Sequence, residues 1–168
     1  MVDVNNKKYA DGDLLLVDKP KGITSFDVIR ILRKKMNIKK MGHAGTLDPL
    51  ATGLLLVGIG NGTKKLKDLI GLSKVYETDV LLGVRTTTGD MEGKVVRTTK
   101  VESLKVENVE EAIGSLVGIL ELPVPIYSAI KKDGKPLYKY AREGEEVDVP
   151  VKTMEIRAIQ LLNVLCAG

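Results

Sequence analysis

The spacing of apolar and polar residues changes along the chain, and each change of period predicts an element. Residues 13–17 form a short apolar run closed by Asp18-Lys19-Pro20-Lys21-Gly22, which predicts a strand and a turn. From 23 to 36 the period lengthens. Phe26, Ile29, Leu32 and Met36 recur every three to four residues, Thr24 or Ser25 can cap the start, and Arg30, Arg33 and Lys34 take the other face. An amphipathic helix with basic residues outward is expected there. Residues 42–53 are punctuated by Gly and Pro and read as a loop, 54–59 as a buried strand and 63–72 as a short helix.

Further on, residues 74–82 alternate, with Tyr76, Thr78, Val80 and Leu82 on one face of an expected strand. A turn at 89–93 leads to another strand at 94–98. A helix is expected over 107–120 through Val109, Ile113, Leu116 and Leu120, stopped by Pro123 and Pro125. Residues 125–150 are rich in Lys, Tyr, Gly and Glu around an Asp133-Gly134 turn, and read as an extended or inserted element more than core. Residues 153–165 resume as one or two strands. Strands and helices interleave without a strict βαβ rhythm, so the expected class is α+β: a mixed, mainly antiparallel sheet with flanking helices in a single domain. No internal repeat, linker or low-complexity tract is visible.

Composition narrows the chemistry. At 168 residues, 43% hydrophobic and 29% charged, the chain can bury a core, but with one Phe, five Tyr and no Trp that core must be Leu, Ile and Val. The single cysteine, Cys166, excludes an internal disulfide, and one histidine beside it makes no zinc or iron–sulfur ligand set, so no metal is expected. No apolar run reaches the ~18 residues of a membrane span, and the polar start is no signal peptide. A cytoplasmic protein is expected.

The net charge of +4 conceals an asymmetry. Residues 19–67 hold eleven Lys and Arg against only Asp27 and Asp48, a local charge of +9, while the remainder carries −5. A field of one sign along one stretch attracts polyanions, of which nucleic acid is the commonest. Charge alone equally describes a solvated helix face.

Within that basic stretch lies Gly42-His43-Ala44-Gly45-Thr46-Leu47-Asp48-Pro49-Leu50-Ala51-Thr52-Gly53. Its glycines permit close approach or positive φ, and Pro49 biases Asp48 to extended backbone. A carboxylate so held, near the chain's only histidine, suits an acid, base or nucleophile acting on nucleic acid. Local chemistry alone also fits a plain Asp-Pro turn. Gly58-Ile59-Gly60-Asn61-Gly62-Thr63-Lys64 lacks the spacing of a triphosphate loop. Neither Ser25 nor Ser128 sits in a G-x-S-x-G elbow, which sets aside a hydrolase triad.

This loop resembles the signature of the TruB family of tRNA pseudouridine synthases. The likeness continues in Asp18-Lys19-Pro20-Lys21-Gly22-Ile23-Thr24-Ser25, in Gly62-Thr63-Lys64-Lys65 with Lys74-Val75-Tyr76, and in Leu82-Gly83-Val84-Arg85-Thr86-Thr87-Thr88-Gly89-Asp90. Pro125-Ile126-Tyr127-Ser128-Ala129-Ile130-Lys131, with Gly134, Leu137, Tyr138, Ala141, Arg142 and Gly144, is similar to the family's RNA-gripping thumb. The resemblance implies a pseudouridine synthase catalytic core that converts a T-loop uridine, position 55 of tRNA, to pseudouridine without a cofactor. It implies Asp48 as the catalytic carboxylate, with attack on the base, attack on the sugar and removal of a sugar proton all open. Tyr76 is then the ring that packs on the flipped base, and His43 the side chain that enters the T-loop. Lys19 with Pro20 buttresses the loop, and Lys19 is also a candidate for direct RNA contact. Arg30, Arg33 and Lys64 are candidates for phosphate contacts, and Lys131 and Arg142, with Lys132, Lys135, Tyr138 and Tyr140, for an RNA clamp.

The family's pattern goes on to a Gly-Thr-Tyr-Ile-Arg strand, whose arginine pairs with the aspartate, and to a C-terminal RNA-binding domain. Neither is found by Gly168, so a fragment of a longer, monomeric tRNA enzyme is the expectation. Two functions follow: an enzyme that isomerises uridine, and a tRNA-binding or tRNA-folding module on the same scaffold.

Overall fold

The computed structural model describes residues 9–128 and 130–165. The chain divides into two compact units, Met1–Glu77 and Thr78–Gly168. The first is built from β1 (Leu14–Lys19), α1 (Ser25–Met36), β2 (Met41–Ala44), β3 (Gly53–Ile59), a 3-10 turn (Gly60–Lys64) and α2 (Leu66–Leu69). Its sheet has the order β1-β3-β2, with β3 antiparallel to both neighbours. Thus β1 and β2 run parallel on either side of β3, and α1 makes the crossover between them.

Alternation decides what β1 buries. Leu15, Val17 and Lys19 point inward, while Leu14 and Leu16 lie on the exposed face. Leu55, Val57 and Ile59 of β3 and Met41 of β2 join the inner face, and α1 closes it with Val28, Ile29 and Leu32. Burial of each such aliphatic side chain contributes roughly 1.5–3 kcal/mol. The helix stripe is Ser25-Val28-Ile29-Leu32, an i, i+3, i+4, i+7 set. Phe26, expected on the buried face, is instead 56% exposed, one residue round the helix from that stripe. Arg33, expected to face outward, is half-buried. Its Nη2 donates to the Met41 carbonyl at 2.9 Å, tying α1 to β2, and its guanidinium lies 5.8 Å from the Phe26 ring centre.

The ends of α1 have local causes. Thr24 is the N-cap: its hydroxyl accepts from the Asp27 amide at 3.0 Å, and the Asp27 carboxylate accepts from the Thr24 amide at 2.9 Å. Asn37 ends the helix in the left-handed conformation, at φ 53°. The glycines of the 58–62 run serve packing. A Cβ on Gly58 would lie 2.7 Å from the Gly62 backbone, so the 3-10 turn can close onto β3 only without side chains there.

The second unit contains β4 (Val84–Thr86), β5 (Val95–Thr98), α3 (Val106–Gly114), β6 (Gly118–Pro123), β7 (Lys131–Lys132), β8 (Lys135–Pro136), α4 (Leu137–Glu143) and β9 (Val151–Ile156). Among the described residues it forms three separate two-stranded antiparallel sheets: β4-β5, β6-β9 and β7-β8. The α+β class is as expected, and every ladder among the described residues is antiparallel.

Three expectations are corrected. Residues 74–81 join no ladder among the described residues, and Val75, Tyr76 and Val80 are exposed. An alternating pattern makes a strand only when a neighbour accepts its backbone hydrogen bonds. The helix expected over 107–120 ends at Gly114, and Gly118–Pro123 pairs with Val151–Ile156 instead. The helix has already stopped at its Ser115 C-cap, Gly118 at φ 130° opens β6, and a short apolar run such as 116–122 satisfies either period. The 42–53 loop is partly strand, because β2 pairs His43 with Val57 and Ala44 with Leu56. Residues 125–150 carry a fully buried anchor, Leu137, at the start of α4.

Candidate active site

The segment bearing Asp48 leaves β2 at Ala44 and enters β3 at Gly53. Gly45 and Gly53, both at positive φ (87° and 106°), make the two bends that a β-carbon would resist. Between them Asp48 is exposed, and its carboxylate forms no ion pair among the described residues. The backbone around it, by contrast, is held from both sides.

On the C-terminal side the anchor is Lys19, the last residue of β1, which is 0% exposed. Its Nζ donates to the carbonyls of Ile23 at 2.8 Å, Pro20 at 3.0 Å and Pro49 at 3.4 Å. A lysine head group has three donors and no acceptor, so three converging carbonyls satisfy it without a carboxylate, and Lys19, a candidate RNA contact in the sequence, is buried with no donor left for RNA. The Gly22 amide adds a bond to the Pro49 carbonyl at 2.8 Å, and the Ala51 amide donates back to the Asp48 carbonyl at 3.0 Å. On the N-terminal side, Ser25 of α1 binds both backbone groups of Leu47. The Asp18–Ser25 segment and the Asp48 loop are therefore one assembly.

His43 sits on β2 opposite Val57, half-buried, with Nδ1 2.5 Å from the Gly45 carbonyl. A carbonyl only accepts, so Nδ1 carries the proton, and the ring is tied to the start of its own loop. Tyr76 lies in the same unit, outside regular structure and 71% exposed. Arg30 extends from α1 and pairs with Asp27, while Lys64 stands exposed on the 3-10 turn. Arg33 is committed to Met41, as described above.

In the second unit, Lys131 and Arg142 are exposed, and the Arg142 guanidinium lies 5.4 Å from the Tyr138 ring centre. Lys135 is engaged internally. It stacks at 4.4 Å on Tyr140 and pairs with Glu143 and Glu145, and the Glu143 bond holds the lysine above its usual pKa and the Glu143 carboxyl below its own. The Lys132 Nζ donates to the Asp148 carbonyl at 2.7 Å. Of the clamp set, Lys131 and Arg142 are thus the freest cations. Among the described residues no cluster of His, Cys, Asp and Glu is arranged to hold a metal ion, and no helix is long and apolar enough to cross a membrane.

Sequence reasoning missed the role of Ser25. The available signal was a Thr-Ser pair at a helix start, where one hydroxyl caps and the second needs another partner.

Asp48 is thus an exposed carboxylate on a loop tied by hydrogen bonds to Lys19, Gly22 and Ser25, inside the basic 19–67 stretch. The chain belongs to the TruB family: residues 33–166 match the model for TruB family pseudouridylate synthase (N terminal domain). A tRNA pseudouridine synthase B of Xylella fastidiosa is 48% identical over 149 residues, covering 89% of this chain and 49% of that protein. One of Fusobacterium nucleatum is 47% identical over 150 residues, covering 89% and 52%. The chain spans about half the length of the curated relatives it matches. A solved Cbf5-Nop10-Gar1 complex shares the fold at TM-score 0.58 and 20% identity, over 92% of this chain and 36% of that one.

Proposed function

We propose that the protein carrying this chain isomerises a T-loop uridine of tRNA, position 55, to pseudouridine, with Asp48 as the catalytic carboxylate. The observation that carries this reading is the exposed Asp48 on a loop held at Leu47 by Ser25 and at Pro49 by Lys19 and Gly22. Family membership and the names of the relatives supply the reaction class. The reaction breaks the bond from the ribose to N1 of uracil and forms one to C5, which loses its proton while N1 gains one. Atoms and electrons balance within the nucleoside, so the protein needs to supply only position, an anion and a proton path.

The target base must leave its stack, at a cost of a few kcal/mol. Tyr76 stacks on the extruded uracil, which contributes about 1–3 kcal/mol per base, and His43 fills the space it leaves. Arg30 and Lys64 contact phosphates, which position the RNA without reading its sequence. Lys131 and Arg142 grip the T-arm. The protein works as a cytoplasmic monomer without metal or cofactor.

Release of tritium from tRNA labelled at uracil C5 tests the reading directly, since each pseudouridine formed frees one label. Binding of the T-arm without release would favour a tRNA-folding module. Affinity for a T-arm stem-loop should also fall linearly on a log–log plot against salt. Lys64→Ala should lower the slope by about 1. Arg33→Ala should lower the slope by less than Lys64→Ala, because one N–H of that half-buried guanidinium already serves the Met41 carbonyl. Equal slopes for Lys64→Ala and wild type would remove Lys64 from the phosphate contacts.

A further inference from the structure

Thr24 performs the capping of α1, so the adjacent Ser25 has no capping duty. Ser25 is nonetheless 1% exposed, and it faces the core stripe of the helix where an apolar side chain would be the simpler choice. Its hydroxyl accepts from the Leu47 amide at 2.9 Å and donates to the Leu47 carbonyl at 3.1 Å. A single side chain thus engages both backbone groups of a residue 22 positions away, as a neighbouring strand would. The residue it engages directly precedes Asp48.

We infer that Ser25 is a positioning residue that sets the direction of the Asp48 carboxylate by fixing the backbone entering it; the role rests on the reading of Asp48 as the acid that acts on uridine. The downstream anchor alone does not suffice. Lys19 and Gly22 hold the Pro49 carbonyl, and Pro49 biases Asp48 to extended backbone, but the dihedrals of Leu47 stay free unless something binds its amide and carbonyl. Ser25 binds both. The hydroxyl itself does not meet substrate, because it is buried and its one proton is already donated to Leu47. An apolar residue there would keep the buried stripe of the helix apolar but would bind neither backbone group of Leu47.

The test uses the whole protein encoded by the gene, with Ser25→Ala, Ser25→Cys and Ile29→Val. Ile29→Val removes one methylene from the same core and serves as a control for general loosening. Single-turnover tritium release, T-arm affinity, urea unfolding and hydrogen exchange of the Leu47 and Ala51 amides are measured where all variants are folded. Ser25→Ala should slow turnover roughly ten- to hundredfold, the scale of loss that a misplacement of about 1 Å produces. RNA affinity should be unchanged, and exchange at Leu47 and Ala51 should be faster. Ser25→Cys, whose thiol is a weak donor and acceptor, should fall between alanine and wild type. Ile29→Val should keep the wild-type rate. A wild-type rate in Ser25→Ala, or equal slowing in Ile29→Val at matched stability, overturns the inference. Unchanged exchange at Leu47 overturns the tether whatever the activity. A wild type that frees no tritium overturns the uridine reading itself, and the role of Ser25 falls with it.

Discussion

Asp48→Asn should abolish turnover, lowering the single-turnover rate by roughly a thousandfold or more, while T-arm affinity stays within a few-fold of wild type. The amide keeps the shape of the carboxylate but removes both its basicity and its nucleophilicity, whichever of base, sugar or sugar proton it acts on. Binding should survive because the basic residues of the 19–67 stretch are untouched. Folding should survive too, since Asp48 is exposed and forms no ion pair among the described residues. Single-turnover kinetics at saturating protein separate the two effects. Retention of more than a few per cent of the wild-type rate would remove Asp48 from the chemistry.

Lys19→Met should have the second-largest effect, on stability and rate together. The side chain is fully buried, and Met matches its length, so the loss is that of the head group. Three carbonyls then lose a donor, those of Pro20, Ile23 and Pro49. An unsatisfied buried polar group costs about 1–3 kcal/mol, and the Pro49 carbonyl still has the Gly22 amide, so a loss of roughly 2–3 kcal/mol is expected. Urea unfolding reads this as a lower midpoint at unchanged slope. With the downstream anchor of Asp48 gone, turnover should slow even where the variant is fully folded. A Lys19→Met protein as stable and as fast as wild type would show that the loop is fixed by other means.

Much of the first unit was legible because its signals are local. The apolar run in β1, the helical period of α1 and the run in β3 each read correctly, since one buried face imposes one period. The burial of Lys19 was not legible: the apolar run ends at Val17 with Lys19 in the expected turn, whereas β1 continues to Lys19 and carries the alternation of Leu15 and Val17 one step further. What failed depended on partners distant in sequence. Residues 74–82 alternate as a strand does, yet no ladder forms there among the described residues. The 107–120 pattern conceals a change from α3 to β6, decided by pairing with β9 more than 30 residues later. His43 was placed on a loop because glycines surround it, whereas β2 is fixed by its register with β3.

The candidate site divides the same way. The Asp48 motif and the Asp18–Ser25 motif were both visible in the sequence, but periodicity says nothing of their contact. That contact arises because β1 and β2 flank β3, which brings the two turns to one end of the sheet. The charge asymmetry was legible as a sum, though not in its distribution. Lys135 counts as a cation in the sequence but is paired with Glu143 and Glu145 in the fold, and Arg33, though still charged, is half-buried and tied by one N–H to the Met41 carbonyl.

The most direct test of the central claim is position-resolved mass spectrometry of unmodified tRNA after incubation with the whole protein. The account predicts pseudouridine at the T-loop uridine with wild type and unmodified uridine there with Asp48→Asn. Pseudouridine at the T-loop in the presence of Asp48→Asn, or none there with a wild type that binds the T-arm, would contradict it.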